Sequence, residues 1–121
     1  MNAEAAMKEA MGIEGAIGVA VVDYESGMSL GTMGGGGHFD LEMAAAANTE
    51  VVRAKTRALN AIGLDDRIED ILITLNSQYH LIRLLEKSHG SVFLYLALDR
   101  QRANLAMARH SLRRVENELQ L

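Results

Sequence analysis

The sequence contains no cysteine, no proline and no tryptophan, and aromatic residues make up 4% of its 121 positions. Without cysteine there is no disulfide framework, no thiolate zinc site and no thiol nucleophile, a usage expected of a cytoplasmic protein. Without proline nothing marks a rigid linker or a polyproline ligand. No stretch approaches the roughly 20 apolar residues of a membrane helix; the longest clean run is Ala16 to Val22. The first residues do not read as a signal peptide either, because Glu4, Lys8 and Glu9 interrupt them. With 49% hydrophobic residues but few rings, a core must be built from Ala, Val, Ile, Leu and Met. The length suits a single domain spanning 1–121.

Charge is unevenly spread. The net charge is -4, yet residues 1–50 carry eight acids against Lys8 alone, and the remainder carries an excess of bases. That asymmetry suits solvated helix faces, a charged protein partner or self-association. An acidic chain with no basic stripe interleaved with aromatics argues against nucleic-acid binding.

Periodicity sets the elements. Residues 2–11 read as a helix capped by Asn2 and ended by Gly12 and Gly15. Ile17 to Asp23 reads as a strand with Ile17, Val19 and Val21 on one side and Gly18, Ala20 and Val22 on the other, apolar on both and therefore central. A turn through Gly27 returns the chain as Met28 to Met33. The run Gly34 to Gly37 reads as a hinge-like connection; it lacks the Gly-Lys-Ser/Thr ending of a phosphate loop. Asp40 caps a long helix, Leu41 to Ile62, closed by Gly63 and roughly 33 Å long. One stripe of it is Leu41, Ala45, Asn48, Val52 and Leu59; a second is Ala44, Val51, Ala58 and Ile62, widened by Ala46, Ala47, Ala54 and Ala61. Such breadth implies contact with a sheet and with a second helix. Ile71 to Leu75, Tyr79 to Leu85 and Ser91 to Leu98 read as strands, and Ala103 to Leu119 as a final amphipathic helix. The order α-β-β-α-β-β-β-α implies an α+β fold, a five-stranded antiparallel sheet with helices on both faces.

Little here points to catalysis. His38, His80, His89 and His110 have no ligand spacing, so no metal site is expected. Asp65, Asp66, Glu69 and Asp70 lack the spacing of a calcium loop and read as a solvated acidic patch. Ser77, Ser88, Ser91 and Ser111 stand in no nucleophile elbow. Arg109, Arg113 and Arg114 are expected to complement the dipole of the last helix. Met43 is a candidate for a partner surface, and the other methionines for core filling.

Four segments in order resemble the roadblock family, the dynein light chains and their bacterial relatives that act on Ras-like GTPases. They are Gly18 to Asp23 with Ser26-Gly27; the alanine-rich helix after the glycines; Ile68 to Thr74 followed by Tyr79 to Arg83; and Leu98 to Ala106 with its Ala103-Asn104-Leu105 core. The four glycines depart from the family's pattern. The resemblance implies a roadblock/profilin-like fold and a non-catalytic homodimer, without cofactor or metal, that regulates or scaffolds a small GTPase. It implies a dimer interface through Ile71, Leu72, Ile73, Thr74 and Leu75 and through Ala47, Val51, Ala54 and Ala58. The residues give independent support: Ile71 to Leu75 is an apolar, β-favouring segment without Lys or Pro, which at a sheet edge needs a partner. Glu50, Arg53 and Arg57, on the polar side of the long helix, are the expected contact for the partner protein. The alternative reading is a small-ligand sensor with a pocket between sheet and helix near the glycines.

Overall fold

The structure, a computed structural model, describes residues 1–85 and 90–121, with His38 described by its backbone alone. The expected turn through Glu86 to His89 lies outside the described residues. Among the described residues the elements are α1 (Ala3–Met11), β1 (Ala16–Asp23), β2 (Met28–Gly34), α2 (Leu41–Ala61), β3 (Asp70–Thr74), β4 (Gln78–Leu85), β5 (Val92–Asp99) and α3 (Leu105–Glu118), with a 3-10 turn at Gly36–His38. The strands form one antiparallel sheet in the order β2-β1-β5-β4-β3. The expected order and fold class are therefore the observed ones.

Strand alternation builds two cores, one on each face. Val92, Leu94, Leu96 and Leu98 of β5 and Val19 and Val21 of β1 meet Ala6, Met7 and Ala10 of α1 and Ala108, Leu112 and Val115 of α3. Phe93, Tyr95 and Ala97 with Ala20 and Val22 meet Leu41, Ala45 and Val52 of α2. Each fully buried Leu, Val or Phe here contributes about 1.5–3 kcal/mol of transfer free energy. Ile17 departs from simple alternation: it packs on the α2 side instead of with Val19 and Val21, because the β1–β5 register slips between Ala16 and Gly18.

Local chemistry places the helices. Asn2, Asp40 and Asn104 each cap a helix, their side chains accepting from the N–H of Ala5, Met43 and Met107. The last helix starts at Leu105 and not Ala103, because the N–H groups of Arg102 and Ala103 are turned back onto the Asp99 carbonyl. The glycine run is a tight turn and not a slack linker. Gly34 and Gly35 have φ of +81° and +92°. Gly35 N–H donates to the Ile17 carbonyl at 2.9 Å. A Cβ on Gly34 would stand 2.7 Å from that same carbonyl oxygen, so only glycine fits.

The long helix buries only its first half. Leu41, Ala45, Asn48, Thr49 and Val52 are covered, while Ala54, Ala58 and Ala61 are exposed and Ile62 is 71% exposed. No helix of the described residues is long and apolar enough to cross a membrane.

Candidate functional site

The two ends of the strand order, β2 and β3, are the sheet's free edges. β3 pairs with β4 in unbroken register from Asp70↔Arg83 to Thr74↔Tyr79, which leaves its outer row of backbone groups without a strand partner among the described residues. Its alternation is clean. Leu72 packs toward the α1/α3 core, and Ile71 reaches the α2 core on the opposite face. Ile73 lies opposite His80 and is half-buried. The strand ends at Thr74; Leu75, expected within it, belongs to the following turn, where its N–H donates to the Gln78 carbonyl at 2.8 Å.

Beside this edge α2 leaves a flank uncovered. Ala47, Ala54 and Ala58 are exposed, and Val51 and Ala44 are half-buried. Between that flank and the strands lie two stretches of groove. One, of about 400 Å³, lies near the glycine turn and is lined by Phe39, Met43, Ala44, Ala47, His80 and Tyr95 among others. The other, of about 530 Å³, is lined by Val51, Lys55, Leu59, Leu64, Ile68 and Ile71 with the neighbouring acids. Met43 is 69% exposed on the rim.

His80 and Tyr95 line the first stretch and belong to a polar string. The Tyr95 ring is buried, and its hydroxyl stands 3.2 Å from His80 Nδ1. His80 Nε2 stands 2.8 Å from Gln78 Oε1. Because Oε1 only accepts, Nε2 carries the proton and Nδ1 accepts from the tyrosine, so a neutral imidazole satisfies both bonds. Burial pushes the Tyr95 phenol up to about 12 and holds the His80 imidazole below its ordinary 6.5. Phe39 and Tyr95 each meet the imidazole edge-to-face, with centroids 6.1 and 5.3 Å away.

The three residues expected to meet a partner protein divide in role. Arg53 is committed to the fold: Nε donates to the Tyr24 carbonyl at 3.0 Å, Nη2 to the Glu25 carbonyl at 2.6 Å, and Nη1 to Glu50 at 3.1 Å. It ties α2 to the β1–β2 turn. Glu50 keeps a side chain 67% exposed. Arg57 is exposed and carries no ion pair among the described residues.

Sequence reasoning missed a buried ion cluster on the opposite face. Arg83, 6% exposed, donates through Nε to Glu116 at 2.8 Å and stands 3.7 Å from Asp70. Arg109 grips both Asp70 oxygens at 3.0 and 2.8 Å. Asp70 thus leaves the solvated acidic patch to which it was assigned; it opens β3 and locks that strand to α3. Arg109 likewise serves this pair and not the helix terminus, and the last turn of α3 contains no basic residue. The overlooked signal was a charge inside the run Leu81-Ile82-Arg83-Leu84-Leu85, where every position is buried and an unpaired cation is untenable.

Among the described residues no group of three or more His, Cys, Asp or Glu is placed to hold a metal ion. His110 is exposed on α3, while His89 lies outside the described residues.

No protein-family model and no curated protein matches the sequence. Solved structures do match. A Roadblock/LC7 domain from Streptomyces avermitilis superposes with a TM-score of 0.81 at 11% identity, covering 98% of this chain and 94% of that one. MglB of Myxococcus xanthus superposes at 0.76 with 18% identity, covering 94% and 85%. A structure described as MglB with tetrameric arrangement gives 0.78 at 14% identity, covering 95% and 82%.

Proposed function

We propose that this chain, which has the roadblock/LC7 fold, works as a non-catalytic homodimer that regulates or scaffolds a small Ras-like GTPase. The observation that carries the dimer is the coincidence of the open β3 edge with the uncovered flank of α2, bordering two separate pockets. A twofold axis normal to the sheet pairs β3 with β3 of the second copy and sets the two α2 helices antiparallel. It extends the sheet and covers Ile71, Ile73, Ala47, Val51, Ala54 and Ala58 in one operation. Small residues on that flank allow close approach of the helices.

The GTPase part rests on the resemblance and the shared fold. Its contact surface is the outer side of α2 around Glu50, Arg53 and Arg57. Arg53, fixed by two carbonyls, supplies rigidity there, and the unpaired Arg57 supplies a free cation for an acidic partner surface. The test mixes the protein with candidate GTPases loaded with GDP or a GTP analogue. Binding to one state, weakened by Arg57→Glu, is the expected result; no binding in either state rejects this part.

One observation favours a second reading, a small-ligand sensor: the 400 Å³ stretch of groove lies between sheet and helix beside the glycine turn, where such a site was expected. A ligand-dependent rise in melting temperature across a nucleotide and metabolite screen would support it. Loss of that rise on dimerisation would show that the second copy competes for the space.

A further inference from the structure

His80 and Tyr95, which form one polar string with Gln78, line the groove that the second copy covers in the reading above, and on that reading we infer that His80 makes the dimer proton-sensitive, closing over a neutral imidazole and opening when the ring takes up a proton.

Three features on the page lead there. First, the neutral ring satisfies both contacts as they stand: Tyr95 donates to Nδ1, and Nε2 donates to Gln78 Oε1. A second ring proton at Nδ1 faces a hydroxyl that must give up its own hydrogen bond to accept it. Second, the ring already stands between Phe39 and Tyr95, and its remaining open side looks into the apolar groove. Covering that groove with a second α2 removes the water that would solvate an imidazolium. Third, among the described residues no formed counter-charge waits for it. From the segment before α2, Asp40 lines the groove, but its carboxylate accepts the Met43 N–H at 3.1 Å as the helix cap. From β5, Asp99 lies opposite Gln78 and accepts the Gln101 N–H at 3.0 Å. From α2 the neighbour is Asn48, and from β3 it is Ile73, both uncharged.

The sign follows from linkage. The monomer already holds the His80 proton affinity below the ordinary 6.5 by burial, and the dimer buries the ring further. Dimerisation therefore keeps its full strength above the monomer's value and weakens as pH falls through it, by up to tenfold for each proton excluded per pH unit. Each dimer contains two such rings.

The experiment is sedimentation velocity across a dilution series at pH 7.5 and 5.5, on the wild-type chain and on His80→Gln, which keeps a polar side chain but does not titrate. The expected result is a dimer dissociation constant that is weaker at pH 5.5 than at pH 7.5 for the wild type and unchanged for His80→Gln. A dimer equally tight at both pH values, or a His80→Gln dimer with the wild-type pH response, overturns the inference and leaves the dimer standing. Monomer at both pH values overturns the dimer reading and this inference with it. Should His80→Gln fold poorly, the imidazole titration by NMR in the concentrated wild type and in Ala54→Glu diluted until it sediments as single chains decides the matter: His80 titrates lower in the dimer than in the monomer, and equal values contradict the inference.

Discussion

The two edges of the sheet are finished differently. At the β2 edge the β1–β2 ladder slips between Val21 and Val22, and Met7 of α1 lies over Gly31 so closely that a Cβ there would stand 2.8 Å from its methyl carbon. Helices pack against β2 from both faces, with Met7 and Met33 on one side and α2 on the other. A bulged, glycine-bearing, covered strand makes a poor template for another chain. At the β3 edge the ladder is regular, the residues are Ile71, Leu72, Ile73 and Thr74, and the groove beside them is open. The ion cluster of Asp70 with Arg83 and Arg109 then anchors this strand to α3 from below. One edge is blunted; the other is held firmly and left unpaired, which is what a strand reserved for a second copy requires.

Removing the anchor gives the largest expected effect on that contrast. Arg83→Ala leaves Glu116 and part of Asp70 without their buried partner and lowers unfolding stability by about 3 kcal/mol, read as a shift of the urea midpoint. No substitution at an exposed β2 position such as Leu30→Ala approaches that loss, since surface changes stay within about 0.5 kcal/mol.

A charge on each edge separates them next. Ile73→Glu weakens the dimer by about 100-fold or more, roughly 2.7 kcal/mol, while Leu30→Glu, at a position already 53% exposed, leaves the dimer unchanged. Equal sensitivity at both edges in analytical ultracentrifugation would erase the distinction. The helix flank follows: Ala54→Glu weakens the dimer by about tenfold, or 1.4 kcal/mol, without altering the circular dichroism spectrum.

The smallest effect lies in the hairpin that forms β2. Asp23 accepts from the Ser91 hydroxyl at 2.7 Å and from the Glu25 N–H at 3.1 Å. The Ser91 hydroxyl foremost, and then that N–H, hold its carboxyl below the usual 3.8. Its contribution is therefore complete above pH 3.8 and fades as pH falls through the lower folded value. The stability gap between wild type and Asp23→Asn is constant above pH 4 and narrows below it.

Much of this contrast was written in local pattern. The alternation of Val92, Leu94, Leu96 and Leu98 against Phe93, Tyr95 and Ala97 is legible in the sequence and is the split of β5 between the two cores, and the lack of Lys or Pro in Ile71 to Leu75 marked a segment that would need cover at an edge; the sheet order places that strand at the border. What local pattern does not contain is tertiary. The slip at Ala16–Gly18 that turns Ile17 toward α2 depends on the β5 partner, and the Gly34–Gly35 turn is fixed by the Ile17 carbonyl across the sheet. The Arg83 cluster joins positions 70, 83, 109 and 116, far apart in sequence. Arg53 looked like a free contact residue because its carbonyl partners lie 28 and 29 positions away.

Sedimentation of the purified chain at micromolar concentration and pH 7.5 tests the central claim most directly. The account predicts a species of twice the 13.2 kDa chain mass that Ile73→Glu converts to single chains. A wild-type protein that sediments at 13.2 kDa under those conditions contradicts it.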